Sequence, residues 1–149
     1  MNSNKIKILL IIEVLGRPPE HLTETLESII KNISNEKGVS VLNKKINEPK
    51  LIKDRNDFYT SFAEIEIEVD DILGLVPIMF KYMPSHIEVI SPGNIIISNS
   101  ILNNLFNELA GKLHQYDEVA RVLQVEKKIL EKKLRELMPL DKKEDKESR

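Results

Sequence analysis

Glu13, Glu20 and His21 fall close together near the N-terminus, and a carboxylate beside an imidazole can move protons near neutral pH. These residues have the strongest claim to chemistry in the chain. Nothing beside them supplies a nucleophile or an oxyanion site, so helix capping and surface charge account for them more simply, and no catalytic residue is assigned. The three histidines, His21, His86 and His114, lie in separate segments. No HExxH, HxH or equivalent cluster occurs, so neither a metal nor a cofactor is expected. The chain has no cysteine, which removes thiolate ligands, a thiol nucleophile and disulfides and fits a reducing compartment. Neither GxGxxG nor GxxxxGK followed by Ser or Thr occurs, so nucleotide binding has no phosphate loop to rest on.

The elements that position these residues follow from length and patterning. The 149 residues suit one domain with a core plus an extension. Residues are 41% hydrophobic and 31% charged, an ordinary globular balance with the added charge that a long exposed helix brings. Basic residues number 22 against 24 acidic ones, so no net excess recruits nucleic acid or anionic lipid. The apolar run at residues 8–12 is too short to span a membrane, is closed by Glu13 and lacks a small-residue cleavage pattern. A cytoplasmic protein without membrane attachment is expected.

Ile6, Ile8, Leu10, Ile12 and Val14 alternate along a first strand. Gly16, Pro18 and Pro19 stop it and open a helix whose Leu22, Leu26, Ile29, Ile30 and Ile33 form one stripe, ending near Ser34 and Asn35. Residues 39–46 read as a polar edge strand, residues 47–57 as a hairpin loop, and residues 58–69 as the clearest strand. In that strand Ala63, Ile65, Ile67 and Val69 oppose Glu64, Glu66 and Glu68. Asp70 and Asp71 are placed to cap a helix carrying Ile72, Leu75, Val76, Met79, Phe80 and Met83, within which Pro77 demands a kink or a later start. Residues 86–90 form a further strand, residues 95–97 offer one more short one, and Ser98, Asn99 or Ser100 caps a final helix. That helix covers residues 101–137 with a break allowed near Gly111, and Pro139 ends it before a charged, disordered tail.

The order βαββαβ with two right-handed crossovers gives an α+β, ferredoxin-like antiparallel sheet with both helices on one face. The expected division is 1–97 for this domain, 98–138 for the long amphipathic helix and 139–149 for the tail. The turn Leu15, Gly16, Arg17, Pro18, Pro19, with Glu20 and His21 after it, resembles the first turn of ACT domains over roughly residues 5–90. That resemblance implies a small-molecule effector site at Gly16, Arg17, Glu20 and His21, although the doubled proline and Arg17 depart from the family's usual turn. Over its whole length the chain also resembles small archaeal proteins without an assigned function.

Recognition of another macromolecule is the remaining possibility. The sheet face opposite the helices carries Leu9, Ile11 and Phe62, and an apolar cluster left open there marks an interface. RNA-binding sheets of this topology present aromatics among basic residues; here the glutamates of residues 64–68 would repel phosphate, and the basic residues Lys44, Lys45, Lys50, Lys53 and Arg55 fall around the hairpin loop. Leu102, Leu105, Leu109, Leu113 and Tyr116 suit packing on the domain, whereas Leu130, Leu134 and Leu137 form a narrow seam suited to helix pairing. The expectation is a non-enzymatic interaction or regulatory module that forms a homo-oligomer, or takes a protein partner, through the sheet face and the C-terminal helix, with an effector-binding protein and an enzyme of unknown class as the alternatives.

Overall fold

The computed structural model describes residues 5–138; the tail expected at 139–149 lies outside the described residues. The protein has an α+β fold built on an antiparallel sheet of five strands. β1 (Ile6–Gly16) occupies an inner position, paired on one side with β4 (Tyr59–Val69) and on the other with β5 (His86–Ser91). β2 (Val39–Ile46) pairs only with β4, giving the order β2-β4-β1-β5, and the two-residue β3 (Lys50–Leu51) pairs with the start of β4. Three helices occur among the described residues: α1 (Pro19–Ser34), α2 (Leu75–Tyr82) and α3 (Asn99–Leu137).

Alternation along the two long strands makes the core. Ile6, Ile8, Leu10 and Ile12 of β1 stand opposite Val69, Ile67, Ile65 and Ala63 of β4, and all eight are buried. Leu26, Ile30 and Ile33 of α1 and Leu75 and Ile78 of α2 join the same cluster, so both helices cover this one face. Ser61 is the buried polar residue on this face, and its hydroxyl donates to the Asn47 carbonyl at 2.7 Å, meeting the requirement that a buried donor be paired. Gly38, between α1 and β2, has φ +73°, and a Cβ there would stand 3.1 Å from an Asp70 carboxylate oxygen. A side chain at that position would meet both backbone strain and a close contact.

Helix ends follow local chemistry. Pro18 is the N-cap of α1 and Pro19 its first residue, where a missing N–H costs nothing. α2 begins at Leu75, later than its apolar spacing suggests, because the Asp71 carboxylate accepts the Gly74 N–H at 2.9 Å in a separate turn. Pro77 thereby falls in the first turn of α2, where it is tolerated without a kink. Ser98 caps α3, its hydroxyl accepting the Ile101 N–H at 3.3 Å.

Three expectations need correction. Residues 95–97 form no strand: Ile95 packs against the core while Ile96 is 97% exposed, and no strand among the described residues pairs with them. The hairpin loop holds β3, a pairing too short to leave a periodic signal. α3 is unbroken at Gly111, consistent with a cost near 1 kcal/mol for one helical glycine, which a long helix absorbs.

The chain divides into two compact units, Met1–Leu109 and Ala110–Arg149. The first contains the sheet, α1, α2 and the opening turns of α3, where Leu102, Leu105 and Leu109 are half-buried. In the second, every described residue from Ala110 to Met138 is exposed.

Candidate functional site

Arg17 lies in the β1–α1 turn and lines a shallow cleft with Pro18, Pro19, Asp57 and Tyr59, of about 360 Å³. Tyr59 reaches it because β4 pairs with β1 up to Gly16. Of the four residues assigned to an effector, Arg17 alone lines this cleft; Glu20 and His21 are exposed on α1 and do not line it, and Gly16 is half-buried beside it in the chain. The acid nearest His21 is Glu24, one turn along its own helix at 3.9 Å, with both side chains largely exposed. Glu13 accepts a hydrogen bond from the Thr60 hydroxyl at 2.9 Å, across the sheet. Glu13 and His21, two of the three residues considered for acid–base work, therefore take separate partners, and Glu20 is exposed on α1. No group of three metal-ligating side chains occurs among the described residues.

On the sheet face away from the helices, Leu9 sits between Glu66 of β4 and Glu88 of β5, and Ile11 between Glu64 and His86. Phe62 stands opposite Glu13. Directly opposed residues lie about 5 Å apart at Cβ, so each apolar side chain has charged neighbours, and Leu9, Ile11 and Phe62 are half-buried. Lys5 bridges Glu68 at 3.0 Å, and that contact raises the lysine's pKa. Lys45 of β2 stands opposite Glu64. This face is mainly acidic with an apolar strip along β1. The basic residues of the hairpin region are exposed at the sheet's margin, Arg55 lying over the Phe58 ring at 6.0 Å.

A polar knot ties the end of α1 to α2. Glu36 accepts from the Lys81 ammonium and, at 2.6 Å, from the Tyr82 hydroxyl. The Lys81 hydrogen bond, with that of Tyr82 behind it, holds the Glu36 carboxyl below the usual carboxylate range, while burial pushes the Tyr82 phenol up. Both effects belong to the architecture.

Most of the exposed large apolar side chains among the described residues are on α3. Leu113 is 63% exposed, Leu123 57%, Leu130 65% and Leu134 58%, and Val119, Val122, Val125 and Ile129 are exposed beside them among the charged residues of the helix. Asp117 and Arg121 pair at 2.9 Å in the favourable acid-first order. Leu130, Leu134 and Leu137 are exposed along one side of the helix. Leu113 and Tyr116, assigned on spacing to packing against the domain, are exposed as well, so the seam is longer than that reading allowed. A second feature without a sequence signal is an apolar cleft of about 290 Å³ bounded by Ile6, Ile72, Ile95 and Ile97, with Asp70 and Asp71 at its edge. The isoleucines at 95–97 hinted at buried backbone there but suggested a strand instead.

No helix among the described residues is long and apolar enough to cross a membrane. The chain belongs to the MJ0538 family, whose model matches residues 7–138. No curated protein and no solved structure matches it.

Proposed function

We propose that this protein is a non-enzymatic interaction module, cytoplasmic and regulatory in character, which self-associates through α3 and through the open face of its sheet. The observation that carries this reading is the exposed leucine seam of α3. A helix without tertiary contacts is only marginally stable in water, and proteins stabilise helices chiefly by packing an apolar face. Contiguous exposed apolar surface of this kind marks an interface. The sheet face supports the reading less strongly, since glutamates flank Leu9 and Ile11.

The test is sedimentation of the full chain beside a truncation after Gln124. The full chain is expected at twice its monomer mass or more, and the truncated chain is expected to associate more weakly with its first unit still folded. Unchanged assembly in the truncated chain would move the interface away from α3.

A second reading, an ACT-like effector-binding protein, draws on two observations. The order β2-β4-β1-β5, with α1 joining β1 to β2 and α2 joining β4 to β5, fits a ferredoxin-like arrangement once the short β3 is set aside. Arg17 and Tyr59 also line a cleft at the β1–α1 turn. A thermal-shift screen with amino acids tests it: a ligand that binds the folded chain raises the melting temperature by mass action, and Arg17→Ala should abolish that rise.

A further inference from the structure

We infer that residues 113–137 of α3 pair with the same residues of a second copy as a parallel, in-register, two-stranded coiled coil whose register is fixed by Lys127. This deepens the self-association reading and rests on it. The exposed seam advances in alternating steps of three and four residues without a slip. In heptad terms, Leu113, Ala120, Lys127 and Leu134 take the a positions, and Tyr116, Leu123, Leu130 and Leu137 the d positions. Such a repeat, sustained over more than three heptads, keeps one stripe of each helix against its partner by left-handed supercoiling. Gly111 falls outside the stripe and has open space around it.

One lysine at an a position specifies register and strand number at a cost in stability. In a two-stranded seam the Lys127 stem can lie along the leucines while its ammonium reaches water. Shifting the register by one heptad would set each lysine against leucine or alanine and would cost a leucine layer at the end.

Charge decides direction. In a parallel pair each g residue faces the e residue five positions on in the other chain, so Lys112 meets Asp117 of the second copy, twice by symmetry. Glu126 then faces Glu131, but the two Lys127 ammonium groups lie at the same level, and Lys127 already approaches Glu131 at 3.8 Å within its own helix. In a fully overlapped antiparallel pair, Asp117 would face Glu131 twice and Glu126 would face itself, with no attractive contact in exchange. The flanking charges therefore favour the parallel pair.

The chain's lack of cysteine makes the test direct. Leu113→Cys and Leu137→Cys are made separately in the full chain, and each is oxidised mildly alone and as an equal mixture, with sedimentation of the reduced proteins alongside. A parallel, in-register pair brings each introduced thiol against its own counterpart, so each variant alone should give a covalent dimer. An antiparallel pair would cross-link only in the mixture, position 113 of one copy to position 137 of the other, and would overturn the inference. A dimer by sedimentation with no cross-link under any condition would also overturn it while leaving self-association intact. A monomer with no cross-link would remove both. Lys127→Leu should shift dissociation to lower protein concentration; an unchanged or weaker association would remove the lysine's role as the polar layer.

Discussion

α1 and α3 carry the same kind of pattern and meet opposite fates. Leu22, Leu26, Ile30 and Ile33 of α1 are all at most 3% exposed, sealed against the sheet, whereas Leu113, Leu123, Leu130 and Leu134 of α3 are all more than half exposed. Both are leucine- or isoleucine-rich stripes at helical spacing. Periodicity thus shows that a face needs burial, and says nothing of which surface buries it. What separates the two is their surroundings in the chain: α1 is held between two strands of one sheet, while the second half of α3 is followed by no further described element.

The comparison predicts two kinds of mutational effect, and the largest falls on α1. Leu26→Ala leaves a cavity in a fully buried site and should cost about 2–5 kcal/mol of stability, read by chemical denaturation, with the mass of the folded species unchanged. The paired change Leu130→Asp and Leu134→Asp should do the reverse. It should lose the assembly in sedimentation yet leave the unfolding of the first unit close to that of the unassembled wild type, because neither side chain is buried there. Loss of the fold in this double variant would show that the α3 seam packs as the α1 stripe does.

The smallest effect concerns the polar knot that closes α1 onto α2. Because Lys81 and Tyr82 hold the Glu36 carboxyl below its ordinary range, its contribution is present above the unfolded-chain value of about 4.3 and is lost as pH falls through the lower folded value. Glu36→Gln should lower the melting temperature slightly at neutral pH and should flatten its fall on acidification below about pH 4. Equal acid sensitivity in the two proteins would show that the knot does not couple protonation to stability.

Much of the first unit is legible in the sequence because its strands alternate cleanly. The buried set on β4, Ala63, Ile65, Ile67 and Val69, is the one its spacing names. The edge position of β2 follows from its polar composition and is observed in its single pairing partner. Local hydrogen bonds and irregular backbone decide what spacing leaves open, as for the later start of α2, or misstates, as for residues 95–97. Asp71 turns the chain at Gly74 and delays α2, and Ile95 enters the core as a single residue of irregular backbone. The surface on α3 is legible only in part. Leu130, Leu134 and Leu137 stand out, but Ala120 and Lys127 interrupt the leucines, so the continuity of the seam back to Leu113 emerges when the side chains from 113 to 137 are found exposed. The residues grouped by the β1–α1 turn show the converse, since neighbours in the chain such as Glu20 and His21 need not share a cleft with Arg17.

Sedimentation equilibrium of the intact wild-type chain across micromolar concentrations tests the central claim most directly. The account predicts a species of twice the 17.2 kDa chain mass that dissociates on dilution, whereas a single 17.2 kDa species persisting at high micromolar concentration would contradict it.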